Sequence, residues 1–269
     1  MENFLTFQSF TIMKLYINPE YEHLRDDISN AISGNYVASK VFCHKRNIVE
    51  KFSMQGKEYV IKIYKKPNLC NRIAYSYFRK PKAERAYRNA VHLLELGIDT
   101  PKPVAYAMEK NKGLFSTGYF ISEYLPYHLI HDAYSEMNDC EKEKLAKDFM
   151  DFTHEMHSKQ VLPLDFNSSN IFYHYDEKTG HYCFALTDIN RMRFGKTPTT
   201  SEVMRSFEQL GIQVEWIYKP ALYYCTKEGS DVEYSIFVFL FYRIRNRIRR
   251  VFKRKVKEKL EQRGSRYLL

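Results

Sequence analysis

From residue 35 to residue 64 the chain alternates β-branched and aromatic residues with polar ones. The alternation is broken at His44-Lys45-Arg46-Asn47 and at Gln55-Gly56. A period of two with such breaks predicts strands joined by turns. Pro81-Lys82-Ala83-Glu84 then opens a segment in which Ala86, Ala90, Leu93, Leu94 and Gly97 recur on one face, which predicts a helix with proline at an early position. Pro101 and Pro103 end it, and two further strands are expected around 104–108 and 114–124, across the turn Lys110-Asn111-Lys112-Gly113. After Pro126 the period lengthens. Leu145, Phe149, Phe152 and Met156 make one stripe of a helix over 139–159, followed by a loop over 161–170 and a hairpin turning at Lys178-Thr179-Gly180. The remainder reads as helical. Strands first and helices afterwards predict an α+β chain of two lobes, a β-rich N-lobe over 1–125 and a mainly helical C-lobe over 126–230, with a C-terminal helix over 231–269.

Composition adds little until charge is divided along the chain. The length of 269 residues suffices for two lobes sharing a cleft. Cys43, Cys70, Cys140, Cys183 and Cys225 are scattered and odd in number, with no CxxC pair, so neither a disulfide framework nor a zinc site is expected and a reducing cytosol fits. The N-terminus carries Glu2 and no basic region, which argues against a signal peptide. Met13 offers an alternative start, in which case the first twelve residues are extraneous. No stretch approaches the ~20 apolar residues of a spanning helix. The net charge is +10, and residues 243–269 alone hold twelve basic against two acidic residues, so the body is neutral and the whole excess lies in the tail.

Five residues in a fixed order suggest phosphoryl transfer, which asks a protein for positioning and charge neutralisation more than for covalent chemistry. Lys62 lies within the strand-like Tyr59-Val60-Ile61-Lys62-Ile63-Tyr64, Glu84 in the helix that follows, Asp165 in the loop, Asn170 five residues on, and Asp188 at the end of an apolar run. A strand lysine reaches phosphates and a helix glutamate steadies it. An aspartate orients an acceptor hydroxyl and takes its proton, and an asparagine and second aspartate offer hard oxygen ligands to Mg²⁺.

Val60-Ile61-Lys62 resembles the strand lysine of kinases, and Glu84 its helix partner. The run from His157 to Asn170 resembles the catalytic loop, and Leu186-Thr187-Asp188-Ile189-Asn190-Arg191 the metal-binding segment. Ile121-Ser122-Glu123-Tyr124-Leu125-Pro126 resembles the hinge, which implies adenine contacts at Glu123 and Leu125. Over residues 35–195 the chain is similar to the bacterial lipopolysaccharide core sugar kinases, the Kdo/heptose kinase family. The resemblance implies a two-lobed protein kinase-like fold and ATP and Mg²⁺ as cofactors. It also implies Asp165 as catalytic residue, Lys62 held by Glu84 on the phosphates, and Asn170 and Asp188 on the metal. The acceptor it implies is a lipopolysaccharide core or lipid-linked sugar.

Departures narrow this. Residues 41–50 contain no glycine where a phosphate-gripping loop is expected, Pro163-Leu164 replaces His-Arg before the catalytic aspartate, and Ile189-Asn190 replaces Phe-Gly. They argue against a regulated protein kinase. A soluble small-molecule phosphotransferase resembling aminoglycoside or choline kinases and a non-catalytic pseudokinase scaffold stay open beside the sugar kinase. His157 is expected to be structural. Arg191 has two readings, steadying the metal aspartate or contacting substrate phosphate.

The tail places Phe237, Phe241, Ile244, Ile248, Val251, Phe252, Val256 and Leu260 at spacings of three and four between ten arginines and lysines. An apolar stripe with a cationic remainder suits a helix over 235–263 lying on the anionic inner leaflet, which places the protein in the cytoplasm, peripherally on the inner membrane. The alternatives are a stripe packed on the body and nucleic-acid binding, the latter disfavoured by the neutral body and the lack of any recognisable module.

Overall fold

Strand alternation sorts the first half of the chain onto two faces of one sheet. The computed structural model describes residues 11–44, 47–211 and 214–265. The first ten residues of the segment read as extraneous, and Lys45-Arg46 of the first turn, lie outside the described residues. The chain divides into two units, the first ending at His128 and taking back Phe184–Met192, the second holding Leu129–Cys183 and the chain from Arg193 on.

The first unit opens with β1 (Thr11–Ile17), a single 3₁₀ stretch and α1 (Arg25–Ile32). Then come β2 (Lys40–His44), β3 (Asn47–Met54), β4 (Lys57–Tyr64), α2 (Leu69–Tyr77), α3 (Lys82–Glu95), β5 (Pro103–Asn111) and β6 (Leu114–Glu123). The six strands form one antiparallel sheet in the order β1-β5-β6-β4-β3-β2. On β4, Tyr59 and Ile61 point to one face with Phe52, Met54 and Ile121, and there they meet Leu24, Ile28 and Ile32 in one hydrophobic core. Lys62 and Tyr64 therefore point to the other face, because side chains alternate. Helix α3 covers that face. Gly118, opposite Tyr64 in the register, lets it approach closely, since a Cβ there would stand 3.2 Å from the Ala83 Cβ.

Helix α2 buries no residue of its own. It is held by two polar ties to the start of β6: Arg72 Nε donates to the Phe115 carbonyl at 2.8 Å, and the Phe115 N–H donates to Ser76 Oγ at 2.8 Å. The returning segment is tied to the loop after α3. The Leu186 N–H donates to the Asp99 carbonyl at 2.9 Å and Thr100 Oγ1 to the Leu186 carbonyl at 2.7 Å.

The second half runs through β7 (His128–Leu129), α4 (Ile130–Glu136), α5 (Asp139–Ser158), β8 (Leu162–Pro163), β9 (Ile171–Asp176), β10 (His181–Leu186) and β11 (Met192–Arg193). Helices α6 (Thr200–Gln209), α7 (Val214–Glu228) and α8 (Val232–Ser265) follow. Capping boxes start α5, through Asn138 and Glu141, and α6, through Thr199 and Glu202. Leu145, Phe149 and Met156 of the expected stripe are buried, with Phe149 stacked on Phe166 at 5.7 Å between centroids. Helix α8 packs Ser235, Val238 and Phe239 inward and ties Tyr242 to Ser201 at 3.0 Å and Asn246 to Glu208. The alternative in which its aromatic and aliphatic stripe packs on the body does not hold. Phe237, Phe241, Ile244, Ile248 and Phe252 are 53–67% exposed, and at about 100° per residue they lie opposite the packed face.

Candidate active site

In the first unit, Lys62 Nζ donates to Asp188 Oδ1 at 2.6 Å. Asn190 Nδ2 donates to the same oxygen at 2.6 Å, so both bonds fall on Oδ1 and leave Oδ2 to other partners. Asp188 has φ +51°, a left-handed conformation that Asp tolerates better than most residues because its short side chain bonds locally. Helix α3 clamps the segment beyond it. Arg85 Nη1 donates to the Asn190 carbonyl at 2.7 Å and Asn89 Nδ2 to the Ile189 carbonyl at 2.6 Å. Strained backbone held this firmly is found where a side chain must be aimed.

Glu84 is not brought to Lys62, which corrects the expected pair. Its carboxylate accepts from Arg88 Nε at 2.8 Å and lies 4.0 Å from Lys80 Nζ. Arg88 sits one helical turn on, so the local i,i+4 pair takes the glutamate. In the expected hinge, the Glu123 N–H donates to the Lys102 carbonyl at 2.9 Å, its side chain accepts from Tyr21 at 2.9 Å, and the Tyr124 N–H donates to the Glu58 carbonyl at 3.1 Å. These bonds fix the linker that carries Leu125.

Sequence reasoning missed Tyr64. It is buried, and its hydroxyl has no hydrogen-bond partner among the described residues. Burial, and next the charge of Asp188, push its ionisation well above the usual tyrosine range. Arg85 and Asn89 were missed as well, since nothing in their spacing distinguishes them from ordinary helix residues.

In the second unit the loop holding Asp165 is anchored just beyond an exposed carboxylate. Phe166 is buried, its N–H donates to Gln209 Oε1 at 3.3 Å, and the Ser168 N–H donates to the Leu210 carbonyl at 3.3 Å. Asn170 Nδ2 donates to the Asp165 carbonyl at 3.2 Å, joining the two expected site residues directly. Arg191 is exposed.

Residues 42–224 match the Lipopolysaccharide kinase (Kdo/WaaP) family, about two thirds of the chain and all seven expected site residues. The chain belongs to that family. A Kdo/WaaP kinase is an ATP-dependent phosphotransferase, and the fold agrees. The chain is similar to WaaP in its complex with acyl carrier protein, with TM-score 0.53 and 15% identity over 91% of this chain and 94% of that one. It is also similar to an aminoglycoside-3'-phosphotransferase of type VIII, with TM-score 0.54 and 14% identity over 82% of this chain and 98% of that one. At such identities the likeness is one of fold, a protein kinase-like fold. No curated protein sequence matches the chain.

His157 of this Kdo/WaaP kinase is buried, with Nδ1 2.8 Å from the Tyr224 hydroxyl. Burial first, then His154 and Arg193, lower its pKa from 6.5 to about 3. The folded state keeps it neutral while the unfolded chain protonates it near 6.5, so the unfolded state binds the extra proton between those values. Stability is therefore full above pH 6.5 and falls as pH drops toward 3. Melting temperatures from pH 7.5 to 4.5 are expected to decline, with a shallower slope in His157→Asn; an equal slope would show that the imidazole is not responsible.

Proposed function

We propose that this kinase transfers the terminal phosphoryl group of ATP to a hydroxyl of a lipopolysaccharide core sugar, Kdo or heptose, at the cytoplasmic face of the membrane. The observation that carries the chemistry is the 2.6 Å pair between Lys62 and an Asp188 held in left-handed backbone. It sets a cation for phosphate beside an oxygen donor for a metal. Among the described residues no cluster of three acidic, histidine or cysteine groups forms a metal cage. That suits Mg²⁺, which takes one or two protein oxygens and fills the rest of its shell with water and phosphate. Asp188 and Asn170 would hold it, and when bound it neutralises charge developing on the phosphoryl oxygens.

In this reading Lys62 contacts the inner phosphates, and Glu123 and Leu125 meet the adenine. The Asp165 carboxylate accepts the proton of the sugar hydroxyl as its oxygen bonds to the γ-phosphorus and the bond to ADP breaks. Glu84 serves through α3, steadying Arg88 rather than Lys62. Core oligosaccharide from cells lacking the protein is expected to miss one phosphate by mass spectrometry, restored by wild type. An unchanged core would remove this acceptor and favour the small-molecule phosphotransferase; no stabilisation by millimolar Mg-ATP would favour the pseudokinase.

Helix α8 supports the membrane location. Its 34 residues span about 51 Å, and no helix among the described residues is long and apolar enough to cross a membrane. An exposed stripe flanked by Arg243, Arg245, Arg247 and Arg254 suits one lying in the headgroup region. The triple variant F241E/I244E/I248E is expected to lose at least ~10-fold in co-sedimentation with phosphatidylglycerol vesicles. Its melting temperature is expected to stay near wild type because the three side chains are exposed. Undiminished sedimentation would sink the membrane role. WaaP has been solved with acyl carrier protein; retention of acyl carrier protein by α8 in gel filtration, lost in the same variant, would instead assign the stripe to an acidic protein.

A further inference from the structure

A pocket of about 280 Å³ lies in the first unit and is lined by none of the residues assigned to the nucleotide or the metal. Lys65, Lys66 and Lys82 border it with Asn47, Asn68 and Asn71, and no acidic residue does. Lys65 and Lys66 leave β4 directly, and Pro67 turns the chain into the start of α2. The first turn of that helix contains no acidic residue, and Asn68 caps it by accepting from the Asn71 N–H at 3.1 Å. Three lysines, three asparagines and the N-terminal turn of a helix thus line one concavity.

A second feature points to a ligand independently. Tyr64 lines the same pocket, is 4% exposed, and has a hydroxyl without a hydrogen-bond partner among the described residues. Buried hydroxyls are almost always satisfied, and an orphan at a pocket wall marks a place for a polar group from outside the chain. The volume is at or below the low end of small-molecule sites, which run from about 300 to 1,000 Å³. It accommodates a phosphorylated polyol or monosaccharide rather than a nucleotide.

We propose that this pocket binds a phosphomonoester, the dianionic phosphate meeting Lys65, Lys66 and Lys82 while the asparagines take hydroxyls of the group that carries it. The site adjoins the catalytic pair without using it. The Tyr64 ring centroid is 5.5 Å from Lys62 Nζ and 5.9 Å from Lys82 Nζ, and Lys82 opens α3, whose Arg85 and Asn89 clamp residues 189–190. The same chemistry is offered by a free sugar phosphate and by a lipid headgroup, and the test separates them.

The full chain, saturated with Mg²⁺ and a non-hydrolysable ATP analogue, is titrated with glucose 6-phosphate by calorimetry. Binding is expected to be one-to-one, to weaken at least tenfold in K65E/K66E, and to persist in Asp165→Ala. Both lysines are exposed, so the double variant is expected to keep the wild-type melting temperature. If the phosphate belongs to a lipid, glucose 6-phosphate will not bind. Vesicles containing phosphatidic acid will then be preferred over phosphatidylglycerol vesicles by wild type and not by K65E/K66E. Binding that K65E/K66E leaves intact, displacement by the ATP analogue, or failure of both glucose 6-phosphate and phosphatidic acid overturns the proposal.

Discussion

Asp165→Ala is expected to lower phosphoryl transfer by about 10²–10⁴-fold, the usual contribution of a positioned general base, while leaving Mg-ATP affinity within about twofold of wild type. The separation of the two effects follows from where Asp165 sits. It is exposed at the head of a loop whose fixed points are Phe166, buried against Phe149, and Ser168, bonded to the end of α6. Removing the carboxylate disturbs neither anchor, and the bond from Asn170 goes to the Asp165 backbone, which alanine retains. ADP release measured with a sugar acceptor, beside fluorescent-nucleotide binding on the same preparation, tests both halves. A variant that binds ATP and turns over normally would remove Asp165 from the chemistry.

Asp188→Asn is expected to cost ~10²–10⁴-fold in activity, because a metal ligand supplies several kcal/mol of charge stabilisation at about 1.4 kcal/mol per decade. It is also expected to abolish the Mg²⁺-dependent part of the thermal shift given by ATP. Asparagine is the informative substitution. It tolerates the φ of +51° and still accepts from Asn190, so the backbone is preserved and only the charge is lost. Alanine would add roughly 1–2 kcal/mol of left-handed strain and confuse chemistry with folding. The fold itself should persist, since the Lys62–Asp188 pair is partly exposed, with side chains at 17% and 36%, and pairs of that kind contribute about 1 kcal/mol or less. Wild-type turnover in Asp188→Asn, with an intact Mg²⁺-dependent shift, would dismiss the metal assignment.

The strands and helices that bury one face were legible in the sequence. Tyr59, Ile61, Phe52 and Met54 alternate, and Leu145, Phe149 and Met156 recur at helical spacing, because burial selects those positions. Elements held by other means were not. Strand β1 exposes Ile12, Met13 and Tyr16, buries Ile17 at its end, and pairs with β5, about ninety residues later, which no local pattern announces. Helix α2 buries nothing and is fastened by Arg72 and Ser76, so its apolar residues Leu69, Ile73 and Tyr77 mislead a reading based on burial. At the candidate site, order and spacing bring forward Lys62, Asp165, Asn170 and Asp188 as residues, yet not their partners. Side-chain direction sends Glu84 to Arg88, a pairing that the i,i+4 spacing already offered.

Because residues 184–192 belong to the first unit, that unit is built from two stretches of chain separated by residues 129–183. The ribosome delivers the polypeptide in order, so Lys62 and the sheet emerge well before the aspartate that pairs with Lys62. At roughly 5–20 residues per second, the 64 residues from His128 to Met192 take roughly 3–13 s to synthesise. During that interval the nascent sheet exists without Asp188. The charge pair at its centre closes only after α4 and α5 have been made, so a half-synthesised chain cannot hold a finished catalytic face.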